Sequence, residues 1–342
     1  MASNTTWTIR SMLDWCTGYL GRHGDASPRR SAEVLVGKAC GLERLELYLD
    51  IDRPLDASEL DVLREDVRNR GQGMPLQYLT GTAPFRYLEV KVAPGVLIPR
   101  PETEVLVSEA LAMLPSAPKP QDAYDRVLLD ALAREGSDED REVASEPDGL
   151  RVEAKIGEGA AGTAASPELL VADVCTGTGC IACSIATEHP LTRVYATDIA
   201  PEAVALARHN VEAFGVADRV DVLACDLGTG IPVETLGQFD LVVSNPPYVP
   251  TGVLAEIPRE VADFEPTLAL DGGEDGLDLF RRLVTWAYTA LKPGAGFACE
   301  LHETCLDDAA DIADASGFTS IRIVNDLTGR PRVLVARKSE AS

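Results

Sequence analysis

The chain has 342 residues, 45% of them hydrophobic and 5% aromatic, enough for about two globular domains with a sizeable core. Its 55 Asp and Glu against 31 Lys and Arg give a formal net charge of -24, which opposes diffuse binding to nucleic-acid backbones or anionic membranes. No run is long and apolar enough to span a bilayer, and neither a signal pattern nor a basic transit pattern opens the chain, so a cytoplasmic protein is expected.

Residues 5–70 read as short helices. Ser27-Pro28 marks a helix start, Ala32, Leu35, Val36 and Ala39 share one face, and Gly41 is a stop. Asp56 through Glu59 opens a second helix with Leu60, Leu63 and Val67 inward. This is expected to be a small helical domain over 1–73, without a catalytic constellation of its own. Gly71 through Pro75 is a linker signal, and 85–92 alternates like a hairpin, so 74–96 is expected to be a linker with a hairpin. Pro101 suits a first helical turn, with Glu102 and Glu104 favourable at the positive end of a helix running to Leu114.

The texture changes over 115–167, which is rich in Pro, Gly, Ala, Ser and acidic residues. A helix fits 122–135, and 136–166 reads as a solvated, weakly ordered insertion. Strands then alternate with helices. Strands are expected at 169–174, 193–197, 220–224, 239–243 and 296–301, and helices at 179–188, 201–214, 277–291 and 306–315. Strands at 320–324 and 332–336 would close the chain as an antiparallel pair. The pattern implies an α/β fold, a Rossmann-like, mainly parallel sheet with helices on both faces, occupying 97–342.

Eight cysteines are scattered through segments that read as core. Cys180 and Cys183 are spaced Cys-x-x-Cys, but no second pair or histidine cluster accompanies them. Buried free thiols are expected, with no metal site. His23, His189, His209 and His302 are isolated and read as structural or solvent-exposed.

Two stretches carry chemistry. Asp173-Val174-Cys175-Thr176-Gly177-Thr178-Gly179 joins the first strand of the alternating region to its helix, and Gly177, Gly179 and Ala182 have the spacing of a nucleotide-binding turn. Asp198 ends the next strand, where an acid would bind ribose hydroxyls, and Asp226 ends the third, where it could accept from an adenine amine. That much fits NAD equally well. The second stretch, Ser244-Asn245-Pro246-Pro247-Tyr248, follows the apolar run 239–243. Two prolines cannot continue a ladder, so the chain must leave the sheet at Asn245. A planar NH2 group is a poor nucleophile. With one N–H accepted by the Asn245 oxygen and the other by the Pro246 carbonyl, its lone pair is aimed at an electrophile, and Tyr248 could cover it. Positioning then supplies the gain, without a metal. A methyl donor and an NH2 acceptor on one sheet edge favour S-adenosylmethionine over NAD.

The chain resembles the bacterial release-factor glutamine methyltransferases (the HemK/PrmC family). The matching stretches are Gln77 through Gly81, Leu97 through Glu104, Asp173 through Gly179, Ser244 through Tyr248, Phe264-Glu265-Pro266, Asp271 through Gly276, and Gly329 through Val333. The resemblance implies a class I S-adenosylmethionine-dependent methyltransferase acting on the side-chain amide of glutamine in the Gly-Gly-Gln tripeptide of class I peptide-chain release factors. It also implies that the helical domain helps engage the factor. By motif, Asp173, Cys175 through Gly179, Asp198, Asp226, Leu227 and Asn245 would contact the donor, and Asn245, Pro246, Pro247 and Tyr248 would hold the glutamine. Cys175 stands where the family commonly has Gly, and Leu227 where it often has an aromatic residue. The glycine usual soon after Glu300 is missing. Two rivals use similar geometry: a glutamine methyltransferase acting on a ribosomal protein, and an adenine N6-methyltransferase, against which the acidic charge stands. A third is a non-catalytic donor-binding protein.

Overall fold

The computed structural model describes residues 6–116 and 168–340. Apart from residues 115 and 116, the expected insertion at 115–167, with its helix at 122–135, lies outside the described residues. The amino-terminal part is four helices, α1 (Ile9–Arg22), α2 (Pro28–Cys40), α3 (Arg44–Leu49) and α4 (Ala57–Gly71), followed by a single turn, α5 (Leu76–Thr80). The local signals explain the boundaries. Asp56 accepts from the Glu59 N–H at 2.9 Å and Glu59 reaches back to the Asp56 N–H at 2.8 Å, a capping box that starts α4. Gly41 ends α2 in the left-handed region at φ 63°. The inward faces meet in a core of their own through Ile9, Leu13, Leu35, Val36, Leu63 and Val67.

A hairpin follows, β1 (Thr82–Phe85) and β2 (Leu88–Lys91), closed by the Val92 N–H on the Gly81 carbonyl at 2.9 Å. The hairpin expected over 85–92 is thus displaced: Phe85 ends the first strand instead of beginning it. Pro84 hid that strand in the sequence, and a two-stranded ribbon tolerates proline because its outer edge has no partner to satisfy. The helix α6 (Thr103–Met113) also starts later than expected, with Glu102 as its cap. Pro101 lies outside it, in a turn where the Glu104 N–H reaches the Pro101 carbonyl at 3.1 Å.

The remaining elements are β3 (Leu169–Val174), α7 (Cys180–Glu188), β4 (Thr192–Asp198), α8 (Pro201–Ala213), β5 (Val220–Ala224), β6 (Phe239–Ser244), the short α9 (Arg259–Ala262), α10 (Asp278–Ala290), β7 (Leu291–Glu300), α11 (Leu306–Ala315), β8 (Phe318–Asn325) and β9 (Pro331–Lys338). They build a seven-stranded sheet in the order β5-β4-β3-β6-β7-β9-β8. The first five strands of that order run parallel, and β9 pairs antiparallel with both β7 and β8. The seventh strand in sequence, β7, begins five residues earlier than expected, at Leu291, directly after α10. A register shift between Phe239 and Leu241 absorbs its irregular Lys-Pro-Gly stretch.

Alternation along the strands feeds two cores. Val171, Leu241 and Val243 face α6, α7 and α8, and Ala172, Val174 and Val242 face α10 and α11. Sequence order reverses between β3 and β6: the chain builds β4 and β5 outward on one side, then returns to lay β6 on the other. Ligands bind at such switch points, beyond the carboxyl ends of the strands.

Arg86 locks the hairpin to α6 and α7. At φ 51°, it sends its guanidinium to both Glu188 oxygens (2.5 and 2.6 Å), the Ser108 hydroxyl (2.7 Å) and the Glu104 carbonyl (3.0 Å). Arg86 and Glu188 side chains are only 13% and 18% exposed, so removing one strands the other. Arg86→Ala should lower unfolding stability by about 2–4 kcal/mol in a denaturant titration; a loss within error would show that the pair contributes nothing.

Candidate active site

The switch point brings the two sequence motifs together. Val174 pairs with Ser244 at the ends of β3 and β6, and the Ser244 hydroxyl donates to the Val174 carbonyl at 2.6 Å. The next residues, Cys175 and Asn245, therefore leave the sheet side by side. Both border a cleft of about 240 Å³.

Its floor is the glycine turn. Gly177 sits at φ 57°, and its N–H donates to Asp198 Oδ2 at 2.9 Å, so the acid ending β4 holds the turn open. A Cβ on Gly177 would meet nothing, whereas one on Gly179 would press on Ala207 of α8 at 3.1 Å. Gly177 thus keeps the cleft clear, and Gly179 lets α7 pack against α8. Cys175 takes φ 62°, a region that favours glycine, so its side chain is held there at a cost. Cys175, Thr176, Gly177, Thr178, Asp198, Asp226 and Leu227 all line the cleft. Burial pushes the Asp198 carboxyl up, against the pull of the Ala200 and Gly177 N–H groups. Asp226 is ion-paired with Arg282 of α10 at the cleft margin.

Asp173 is placed differently. It is fully buried beneath the turn and does not line the cleft. Its Oδ2 accepts from the Thr176 hydroxyl at 2.5 Å and from the Ala182 N–H at 3.1 Å, fastening the turn to α7.

Asn245 and Pro247 line the opposite wall. The Asn245 Nδ2 donates to Thr103 Oγ1 at 3.1 Å, and its Oδ1 is buried with no donor among the described residues. Pro246 is buried behind that wall, and no described residue donates to its carbonyl. Tyr248 does not border the cleft: its hydroxyl donates to Glu300 Oε1 at 2.9 Å and its ring packs toward α10 and α11. The glycines of 271–276 press on this segment, since a Cβ on Gly276 would lie 2.5 Å from the Tyr248 carbonyl.

Sequence reasoning gave no site role to several residues found here. Ile98, Arg100 and Thr103 come from the approach to α6, and Pro266 and Leu268 from the loop before α10. Arg100 pairs with Glu265 at 2.7 Å, joining these two walls. The stretches 97–104 and 264–266 were recognisable as motifs, but nothing local showed that they face each other. Cys180 and Cys183 lie buried in α7 as free thiols. Despite the absent glycine, β7 runs through Glu300, and the Leu301 N–H reaches the Arg332 carbonyl at 2.9 Å.

Burial pushes the Asp173 carboxyl from 3.8 up to about 7, even with its two hydrogen bonds. The folded chain therefore holds a proton that the unfolded chain has lost, and this contribution fades as pH rises from about 4 through 7. Asp173→Asn should remove that part of the pH dependence, up to about 4 kcal/mol, in unfolding measured against wild type across this window. Parallel pH curves would mean that Asp173 titrates normally.

With this geometry in place, residues 11–81 match the family model described as the PrmC N-terminal domain, and residues 164–257 match the Methyltransferase small domain. The chain is 35% identical to the release factor glutamine methyltransferase of Geobacter sulfurreducens, over 97% of this chain and 97% of that one. It is 32% identical to that of Rhodopirellula baltica, over 99% of each. Against that of Moorella thermoacetica identity is 34%, over 97% of this chain and 99% of the relative. A likeness of this strength along the whole of both chains is shared ancestry of the whole architecture, helices and sheet together, and the chain belongs to the release factor glutamine methyltransferase family, S-adenosylmethionine-dependent enzymes.

Proposed function

We propose that this chain methylates the side-chain amide nitrogen of the glutamine in the Gly-Gly-Gln tripeptide of class I peptide-chain release factors, in the cytoplasm where those factors work. The observation that carries the reading is the buried, unpartnered Asn245 oxygen, one residue beyond the strand pairing that sets it beside the glycine turn. A buried acceptor without a donor is costly, and a substrate N–H relieves that cost.

The residues fit a methyl donor. Cys175 through Thr178 and Leu227 would border it, with Asp198 and Asp226 taking its hydroxyls and amine, Gly179 and Asp173 shaping the turn, and Asn245 closing the far side. When bound, S-adenosylmethionine supplies a methyl group already activated on a sulfonium. Asn245 Oδ1 and the Pro246 carbonyl would each accept one N–H of the glutamine, aligning its lone pair with the turn, while Pro247 borders the acceptor and Tyr248 holds the segment from behind through Glu300. Transfer would leave the C–S electron pair on the donor's sulfur, and the methylated nitrogen, a strong acid while it still carries both protons, would lose one of them to water while Asn245 Oδ1 and the Pro246 carbonyl hold it in place. Positioning and fixed dipoles, already in place before the reaction, supply the acceleration. The amino-terminal helices would dock the body of the factor, with no direct role for nucleic acid or membrane. Among the described residues no helix is long and apolar enough to cross a bilayer.

With labelled donor, the purified chain should methylate a release factor, and a Gln→Ala change in the factor's tripeptide should abolish labelling. Methyl transfer to nucleic acid or to a ribosomal protein instead would overturn the assignment. Asn245→Ala should lower turnover by roughly 10²-fold or more, as for loss of one preorganised polar contact; turnover near wild type would remove Asn245 from the mechanism.

A further inference from the structure

One wall of the cleft is made by Pro266, Leu268 and Ala269, and the chain that delivers them has almost no core of its own. Residues 251–270 leave the sheet edge after Tyr248 and come back to it. The excursion is clasped at its base by the Val249 N–H on the Leu270 carbonyl at 2.8 Å and the Gly272 N–H on the Val249 carbonyl at 2.9 Å. Within it only Glu265 and Leu270 are buried. A segment with so little apolar surface out of water opens at low cost, so polar contacts carry more of its placement than they would in a core.

Two arginines from distant parts of the chain supply those contacts. The coil of α9 runs on past Ala262, through the Asp263 N–H on the Arg259 carbonyl at 2.9 Å and the Glu265 N–H on the Val261 carbonyl at 3.0 Å, so Glu260 and Glu265 share it. Glu265 takes Arg100. Glu260 Oε1 pairs at 3.1 Å with Nη1 of Arg70, which lies in the last turn of α4 in the helical domain. The Arg70 side chain is 9% exposed and is fixed from its own side. Its Nε donates to Asp25 Oδ2 at 2.7 Å, between α1 and α2, and its Nη1 to the Met74 carbonyl at 2.8 Å. Three residues on, Gly73 turns at φ 99° with its open side toward the Phe264 ring, which a Cβ would meet at 3.5 Å. Arg70 is thus a fixed post on the helical domain, and Glu260, 42% exposed, is the partner that can let go.

We propose that Arg70 is a positioning residue of the active site: through Glu260 it holds the wall of Pro266, Leu268 and Ala269 in place, so that the helical domain shapes the acceptor side of the cleft besides docking the factor. Leu268, 65% exposed, then stands at the cleft margin as a fixed apolar surface for the bound tripeptide, whose glycines have no side chain to hold the backbone away from it. The clasp at the base carries the same placement to Val249, and so to the strand exit that presents Asn245. The proposal rests on the glutamine reading for what the wall faces, whereas the grip of Arg70 on the segment does not depend on it.

The test compares the full chain with Glu260→Gln and Glu260→Lys, both of which leave Arg70 its bonds to Asp25 and Met74. The readouts are methyl transfer to a release factor at saturating donor, donor Kd by calorimetry, the unfolding midpoint, and backbone hydrogen exchange over residues 259–270 in donor-free protein. An exposed ion pair is a modest contact, so Glu260→Gln should lower kcat by roughly 3–10-fold. Glu260→Lys sets two cations together and should lower it by roughly 10–10²-fold. Exchange over 259–270 should quicken in the same order, while KM for the factor and donor Kd stay within about threefold and the unfolding midpoint holds. Because the pair is open to solvent, wild-type kcat should fall toward that of Glu260→Gln as salt rises to about 1 M, with the variant itself little changed. Wild-type kcat and exchange in Glu260→Lys would overturn the proposal. So would a loss of kcat that follows a lowered unfolding midpoint or weakened donor binding, either of which marks a structural role. A wild-type chain that labels no release factor sinks the glutamine reading, whereas unchanged exchange in both variants sinks the grip of Arg70 whichever way the labelling goes.

Discussion

The pairing of β3 with β6 is the contact on which the site depends. Val174 and Ser244 are the last residues of their strands and lie opposite each other, 70 residues apart in the chain. Parallel strands cannot be joined by a tight turn, so the chain must travel through β4, α8 and β5 before β6 can return to β3. That detour makes the strand order reverse at this place, and the reversal opens a crevice no helix fills. A one-residue slip in the pairing would exchange the faces of β6, burying Val242 where Leu241 and Val243 now sit. The two apolar cores thus hold the register that sets Cys175 beside Asn245.

Buried carboxylates do much of the remaining positioning. Asp173 fastens the glycine turn to α7, Asp198 holds the same turn from β4, Glu265 draws Arg100 across the cleft, and Glu300 anchors Tyr248. Burial pushes all four carboxyls upward. Each is opposed by N–H, hydroxyl or guanidinium donors, so charge that would be costly alone becomes a set of fixed attachment points. Loops shaped this way stay in place before a ligand arrives, as catalysis by alignment requires.

Two of the four non-glycine residues at positive φ among the described residues lie at the cleft. Cys175 and Leu227 both take positive φ without being glycine, at φ 62° and 50°, and both border the cleft. Away from the cleft, Arg86 and Ser320 also take positive φ, while most such turns use glycine, as at Gly41 and Gly81. Side chains kept in an unfavourable backbone region at a cleft require the surroundings to over-determine them. Here the strand ends and the Asp198 bond to Gly177 do so.

Much of this could be read along the chain because the signals are short-ranged. Capping at Asp56, the stop at Gly41, the period-two runs of the central strands and the proline exit at Asn245 each act within a few residues, so the helices, the α/β class and both halves of the site were legible. The resemblance of the motifs supplied the reaction. The misplaced hairpin and the late start of α6 mark where local rules meet a tertiary alternative: Pro84 is tolerated at an unpaired edge, and Pro101 is spent in a turn. The task of Asp173 beneath the turn, the turning of Tyr248 toward Glu300, and the meeting of Thr103 with Asn245 had no local signature. Thr103 and Asn245 are 142 residues apart. Propensity and spacing decide what a segment can become, but a hydrogen bond between distant side chains exists only once packing has chosen their neighbours, and that choice belongs to the assembled sheet.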